Sequence, residues 1–216
     1  MLNQLGDAVG LFVRKVKVIS FSMYNWLSKE NHMVNFCLSN EEKALLKSLI
    51  GKKLINFRHD PLDKFGKETV YGRIELFFID SIVLLDYGYK PYPLFGCEDD
   101  DHPMFLVKII DEKDAISALK DVTQINVEVK KAITGITLVE DYAEITYDGK
   151  IDSLRILKAI IFKFGKEEIA IQGDYMIPLL DIIKGESVAS RLANPGDEFE
   201  NDPETKFIAK RFFVEL

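Results

Sequence analysis

Cys97-Glu98-Asp99-Asp100-Asp101-His102 crowds a thiol, four carboxyls and an imidazole into consecutive positions. These are the donor types that divalent zinc, manganese and magnesium sites draw upon. A hydrolase built on this loop would hold its metal with Asp99, Asp101 and His102 and use it to activate water. Neighbours on one short loop converge on an ion only with help from elsewhere, and neither a glycine-punctuated calcium loop nor a paired-histidine helix is present. A solvated acidic loop is the competing reading. Thiol catalysis would require Cys37 or Cys97 beside His59 or His102, with a third group orienting the imidazole, and no local signature surrounds either thiol. The glycines are scattered singly through turns, so no phosphate cradle is formed and no cofactor is expected.

The stronger composition is that of a recognition surface. Tyr87, Tyr89, Tyr92 and Phe95 run directly into Glu98, Asp99, Asp100 and Asp101. Tyrosines offer rigid contact area at low entropic cost, and carboxylates steer a cationic partner into place. A second acidic stretch, with Asp197, Glu198 and Glu200 between two prolines, is expected to share that surface. The chain carries a formal net charge of −7, with 35 acidic against 28 basic residues. Nucleic acid is therefore not the expected ligand, whereas a basic protein is. The sequence points to a non-catalytic protein-binding module, and its most concrete form is an immunity-type protein whose carboxylates plug the cationic cleft of a nuclease toxin. The plainer alternatives are that Tyr89, Tyr92 and Phe95 fold back beneath their loop and that the acidity serves solubility alone. The enzyme reading and a structural or assembly role, in which sheet edges support homo-oligomers, are the other two classes kept open.

At 216 residues the chain has room for one large or two small domains. Its longest apolar runs, Ile74–Phe78 and Ile82–Leu85, are strand-sized and far short of the roughly 20 residues that span a bilayer, so no membrane association is expected. Met1–Ser20 lacks the order of an export signal, because Asp7 comes early and Arg14, Lys15 and Lys17 come late. With only Cys37 and Cys97, a disulfide framework is not expected, which fits a reducing cytoplasm.

The elements that must position these residues are mostly strands. A pattern of apolar strand, polar turn, apolar strand and acidic stop occurs twice, over Ile74–Asp86 and Leu157–Asp174, each after a Gly-started segment at Gly51 and Gly135. Ser39 and Glu42 form the sequence signature of a capping box, and Leu45, Leu46, Leu49 and Ile50 make an apolar stripe that predicts a helix over Asn40–Ile50. Near-alternation over Val13–Trp26 predicts a strand. Pro61 and Gly66 predict a long loop over Asp60–Lys67, and the glycines and prolines of Tyr87–Gly96 predict irregular chain. Helical spacing predicts a short helix over Asp111–Asp121. Beyond it, Ile125–Val129, Ile133–Val139, Ala143–Tyr147 and Lys206–Leu216 read as strands, while Ile177–Ile183 fits strand or helix. The expected class is α+β, with largely antiparallel sheet built from two weakly similar β-rich units and a few short helices. The expected organisation is an extension over 1–38, a first unit over 39–120 and a second over 121–216.

Overall fold

The computed structural model describes residues 33–64, 67–91, 101–115, 123–147, 150–174, 177–195 and 206–216. The strand expected over Val13–Trp26 lies outside them. Strand dominates: β1 (Met33–Phe36), β2 (Lys53–Lys64), β3 (Lys67–Phe77), β4 (Ile82–Pro91), β5 (Asp101–Ile110), β6 (Ile125–Ala132), β7 (Gly135–Tyr147), β8 (Lys150–Phe164), β9 (Glu167–Gly173), β10 (Leu179–Gly185) and β11 (Lys206–Glu215). One helix, α1 (Asn40–Lys47), and two 3-10 turns at Glu112–Asp114 and Val188–Arg191 complete the described elements. All eleven strands belong to one sheet whose main path runs β11-β7-β8-β9-β10-β3-β2-β6. Pairing is antiparallel throughout that path and along the β3–β4–β5 branch. Only β1, lying beside β8, runs parallel to its neighbour.

Connectivity forces this sheet to curl. Strands β6 and β7 are consecutive and separated by Ile133 and Thr134, yet β6 ends the path and β7 lies next to the other end. The short link can hold only if the sheet bends round into a half-barrel, and backbone bonds pin it on both sides. Ile133 exchanges hydrogen bonds with the Gly51 amide and the Lys52 carbonyl, and Thr134 donates to the Lys163 carbonyl at 2.8 Å.

Helix α1 fills the concave side. Ser39 caps it as its sequence requires: the Glu42 amide donates to Ser39 Oγ at 3.2 Å, and the Ser39 amide donates to Glu42 Oε2 at 2.8 Å. Its regular turns stop at Lys47 and not at Ile50, because the chain tightens into shorter-range bonds before Gly51 takes a φ of +87°. Leu46 and Leu49 are fully buried against inward residues of both hairpin regions, among them Ile74, Leu76, Val83, Leu138, Ile160 and Phe162. Burying such side chains is worth about 1.5–3 kcal/mol each relative to exposure, which makes this interior the main source of stability. On the convex side Val139, Ala159, Ile161 and Ala170 form a smaller cluster, roofed by Val188 and Leu192.

Antiparallel neighbours in sequence form two three-stranded meanders, β2–β3–β4 and β7–β8–β9. Several local expectations differ from the fold. Residues 60–64 are strand: Pro61 follows a register shift after His59, opposite Val70 of β3 and on a part of β2 where β6 no longer pairs. Tyr87–Pro91 is strand too, since β5 supplies a pairing partner as far as Pro91 opposite Asp101. Of the helix expected over Asp111–Asp121, the described part is the single 3-10 turn. Leu179–Gly185 is strand, paired on both sides by β9 and β3.

Candidate functional site

Two regions place chemically distinctive side chains: the β4–β5 arm and a polar row on the convex face. In the arm, β4 pairs with β3 only from Ile82 to Asp86, while its pairing with β5 continues five residues further. The arm thus leaves the edge of β3 and ends at Pro91 and Asp101, the two ends of the segment that contains Tyr92, Phe95, Glu98, Asp99 and Asp100. Those five lie outside the described residues, as do Cys97, Asp197, Glu198 and Glu200. Asp101 and His102 are described as strand positions in register with Pro91 and Lys90.

The arm separates the two remaining aromatics. Tyr89 is 40% exposed. Tyr87 is 2% exposed and is a core residue, so it has no surface to offer a partner. Its ring lies against Phe105, with centroids 4.6 Å apart, and its hydroxyl donates to the Asp174 carbonyl. Gly173 makes room for that ring: a Cβ there would stand 2.5 Å from it. Alternation along a strand accounts for the difference, because Tyr87 follows Val83 and Leu85 inward.

Where the arm departs, the convex face of β3–β4–β5 forms an open trough of about 510 Å³, lined by Arg73, Leu84, Asp86, Lys108, Asp111 and Asp114 among others. Beside it Glu75, only 1% exposed, is gripped by Arg58 Nε at 2.7 Å and Arg73 Nε at 3.4 Å. Both guanidiniums also donate to the backbone of the turn segment, Arg58 to the Ala115 carbonyl and Arg73 to that of Asp114. These charges are consumed in fastening the segment to the sheet.

The polar row crosses the sheet. Arg211 on β11 holds Asp141 on β7 with two bonds of 2.7 Å. Lys158 on β8 comes next, 4% exposed, in a bulge where the β7 register slips between Val139 and Glu140. Gln172 on β9 follows, accepting from the Ala193 amide, and then Asp181 on β10, which accepts from Thr69 of β3 at 2.8 Å. Burial pushes the Lys158 amine down to about 8, while Asp141, Asp174 and Asp181 oppose the shift. The row spans six neighbouring strands of the sheet, from β11 to β3.

Cys37 lies in the link between β1 and α1. Burial, reinforced by the Glu140 carboxylate, pushes its thiol up to about 12, so it is not a nucleophile at neutral pH. Glu140 is 1% exposed and paired to Lys43 at 3.3 Å and to Arg155 at 2.5 Å. His59 is buried beside Phe57, 3.6 Å from Glu68, and burial lowers its pKa. Among the described residues no three histidine, cysteine, aspartate or glutamate side chains are grouped to hold a metal ion, and no helix is long and apolar enough to cross a membrane.

Lys158, Glu75 and Glu140 were not singled out by their residue types. The available signal was a charge inside an apolar run: Lys158 between Leu157 and Ala159-Ile160-Ile161, and Glu75 between Ile74 and Leu76. No family model matches this chain, and no curated protein or solved structure matches it either.

Proposed function

We propose that this chain is a non-catalytic binding protein that offers an acidic and aromatic hairpin tip to a basic protein partner, as an immunity-type protein does to a nuclease toxin. The observation that carries this reading is the β4–β5 ladder. Its pairing out to Pro91 and Asp101 carries β4 and β5 five residues past the end of the β3 ladder, to both ends of the 92–100 segment. Recognition residues concentrate on connections held by a rigid scaffold, and this ladder is such a scaffold. Tyr89, exposed on the arm, extends the recognition surface toward Tyr92 and Phe95, and the net charge of −7 favours encounter with a cationic surface. The second acidic stretch, with Asp197, Glu198 and Glu200, belongs to the same surface in this reading. The protein works in the cytoplasm, and its two meanders are the two similar β-rich units of the sequence pattern.

The test starts with capture of the partner from native lysate at low and moderate salt, followed by association kinetics. Changing Asp99, Asp100 and Asp101 together to Asn slows association by about tenfold at low salt and flattens its salt dependence, with little change in dissociation. An unchanged association rate removes this tip from the interface.

A further inference from the structure

A sheet of this kind has edges, and three of the described ones are blunted in recognisable ways. The outer amide of β5 at Val107 is taken by Glu42 Oε1 of helix α1 at 2.9 Å. On β6, Lys130 adopts a left-handed φ of +53° that breaks the regular extended path, and lysines 130 and 131 are ion-paired on its surface. β1 is only four residues long. β11 differs from all of them: it is ten residues of unbroken register against β7, its sole partner among the described residues, with Ile208 51%, Phe212 44% and Phe213 52% exposed.

The phase of its outward groups is known. The Leu216 amide donates to the Ile136 carbonyl at 3.0 Å, so even-numbered amides of β11 face β7 and those of Ala209, Arg211, Phe213 and Glu215 face away. We infer that this edge is a self-association surface whose occupant is β11 of a second copy, paired antiparallel about a two-fold axis at Phe212.

Charge placement selects that register. Centring on Lys210 or on Arg211 would set each directly against its own copy, the arrangement that destabilises a ladder. Centring on Ala209 would carry Phe213 beyond the start of the partner strand. With Phe212 at the axis, Arg211 meets the partner's Phe213, Lys210 meets the partner's Val214, Ala209 meets the partner's Glu215 and Ile208 meets the partner's Leu216. No like charges oppose one another, and all three exposed apolar side chains gain an apolar or cationic neighbour. Arg211 suits this contact because its two bonds to Asp141 hold the guanidinium flat, as a face on which an aromatic ring stacks. The longer alignment, from Ile208 to Leu216, is preferred over one centred on Phe213, which leaves Ile208 uncovered. Such an isologous contact closes on itself and stops at the dimer.

Sedimentation of the full chain across a wide concentration range is expected to show a monomer–dimer equilibrium. Phe213→Lys, whose side chain would oppose the partner's Arg211, weakens it by at least about tenfold. The register is read by cysteine cross-linking in a Cys37→Ser, Cys97→Ser background. Phe212→Cys brings two sulfurs together at the axis, in the closely spaced kind of strand pair, and oxidises to a disulfide-linked dimer. Lys210→Cys leaves them four positions apart along the strands and does not. A concentration-independent monomer overturns the inference, as does a dimer whose strength ignores Phe213→Lys. Faster cross-linking through Lys210→Cys or Phe213→Cys than through Phe212→Cys overturns the register.

Discussion

β3 and β8 are the middle strands of the two meanders, and each divides one edge between two partners. β3 gives Thr69–Tyr71 to β10 and Arg73–Phe77 to β4. β8 gives Ser153–Ile156 to β1 and Ala159–Phe164 to β9. The backbone must shift where the partners change, and the two strands do this differently. On β3 the change falls at Gly72, in the left-handed region at φ +50°, with the carbonyls of Tyr87 and Pro178 so near that a Cβ would stand 2.8 and 3.2 Å from them. On β8 it falls beside the bulge that carries Lys158. One fork is made by removing a side chain. The other is made by inserting a residue, with a buried amine as its consequence. The comparison teaches that one topological problem has a steric solution and an electrostatic one, and the two should fail under different stresses.

The largest effect is expected at the steric fork. Gly72→Ala sets a methyl against main-chain oxygens and forces an unfavourable φ, costing about 3 kcal/mol or more. Urea denaturation should show the midpoint fall while the slope is kept, and a loss below about 1 kcal/mol would mean that the fork relaxes freely. Next come the buried glutamates, one in each meander. Glu75→Gln and Glu140→Gln each leave two cations short of a counter-charge, and each is expected to cost about 2 kcal/mol. A clear inequality would show which ion cluster holds more of its meander.

The smallest effect at neutral pH, and the one with a pH signature, belongs to Lys158. Its folded pKa of about 8 lies below the ordinary value of 10.5. Between those values the unfolded chain holds a proton that the folded chain has lost, so this group adds stability as pH rises through the window. The gain is on the order of 3 kcal/mol once both forms are deprotonated. Lys158→Met should remove that rise: the stability difference between native and variant, measured from pH 7 to 10.5, grows in favour of the native chain as pH increases. A pH-independent difference would mean that the carboxylates nearby offset burial fully.

Elements whose code is local could be read from the residues. The capping box before α1 and the hairpins around Ile79-Asp80-Ser81 and Gly165-Lys166 follow from neighbours within a few positions. Tyr87–Pro91 was not legible, because its extended form comes from pairing with β5 across the 92–100 segment and overrides the glycine and prolines that argue for a loop. Pro61 misled in the same way, since only the fold reveals that β6 has ended its pairing there. The polar row was hidden for a third reason: Arg211, Asp141, Lys158, Asp181 and Thr69 come from five strands and become neighbours only through sheet order. For the β4–β5 arm the residue types were plain in the sequence, and the ladder adds the register of Asp101 and His102 and the inward turn of Tyr87.

The junction of β10 with β3 has registered pairs only at Tyr71–Leu179, Val70–Leu180 and Thr69–Asp181. It is the shortest link in the main path, and Thr69 stands 112 positions from Asp181. Among the ladders of the main path this one asks the most chain entropy for the fewest bonds. Such a seam zips last as the protein folds and opens first under native conditions, so its amides are expected to exchange with solvent deuterium ahead of those within either meander.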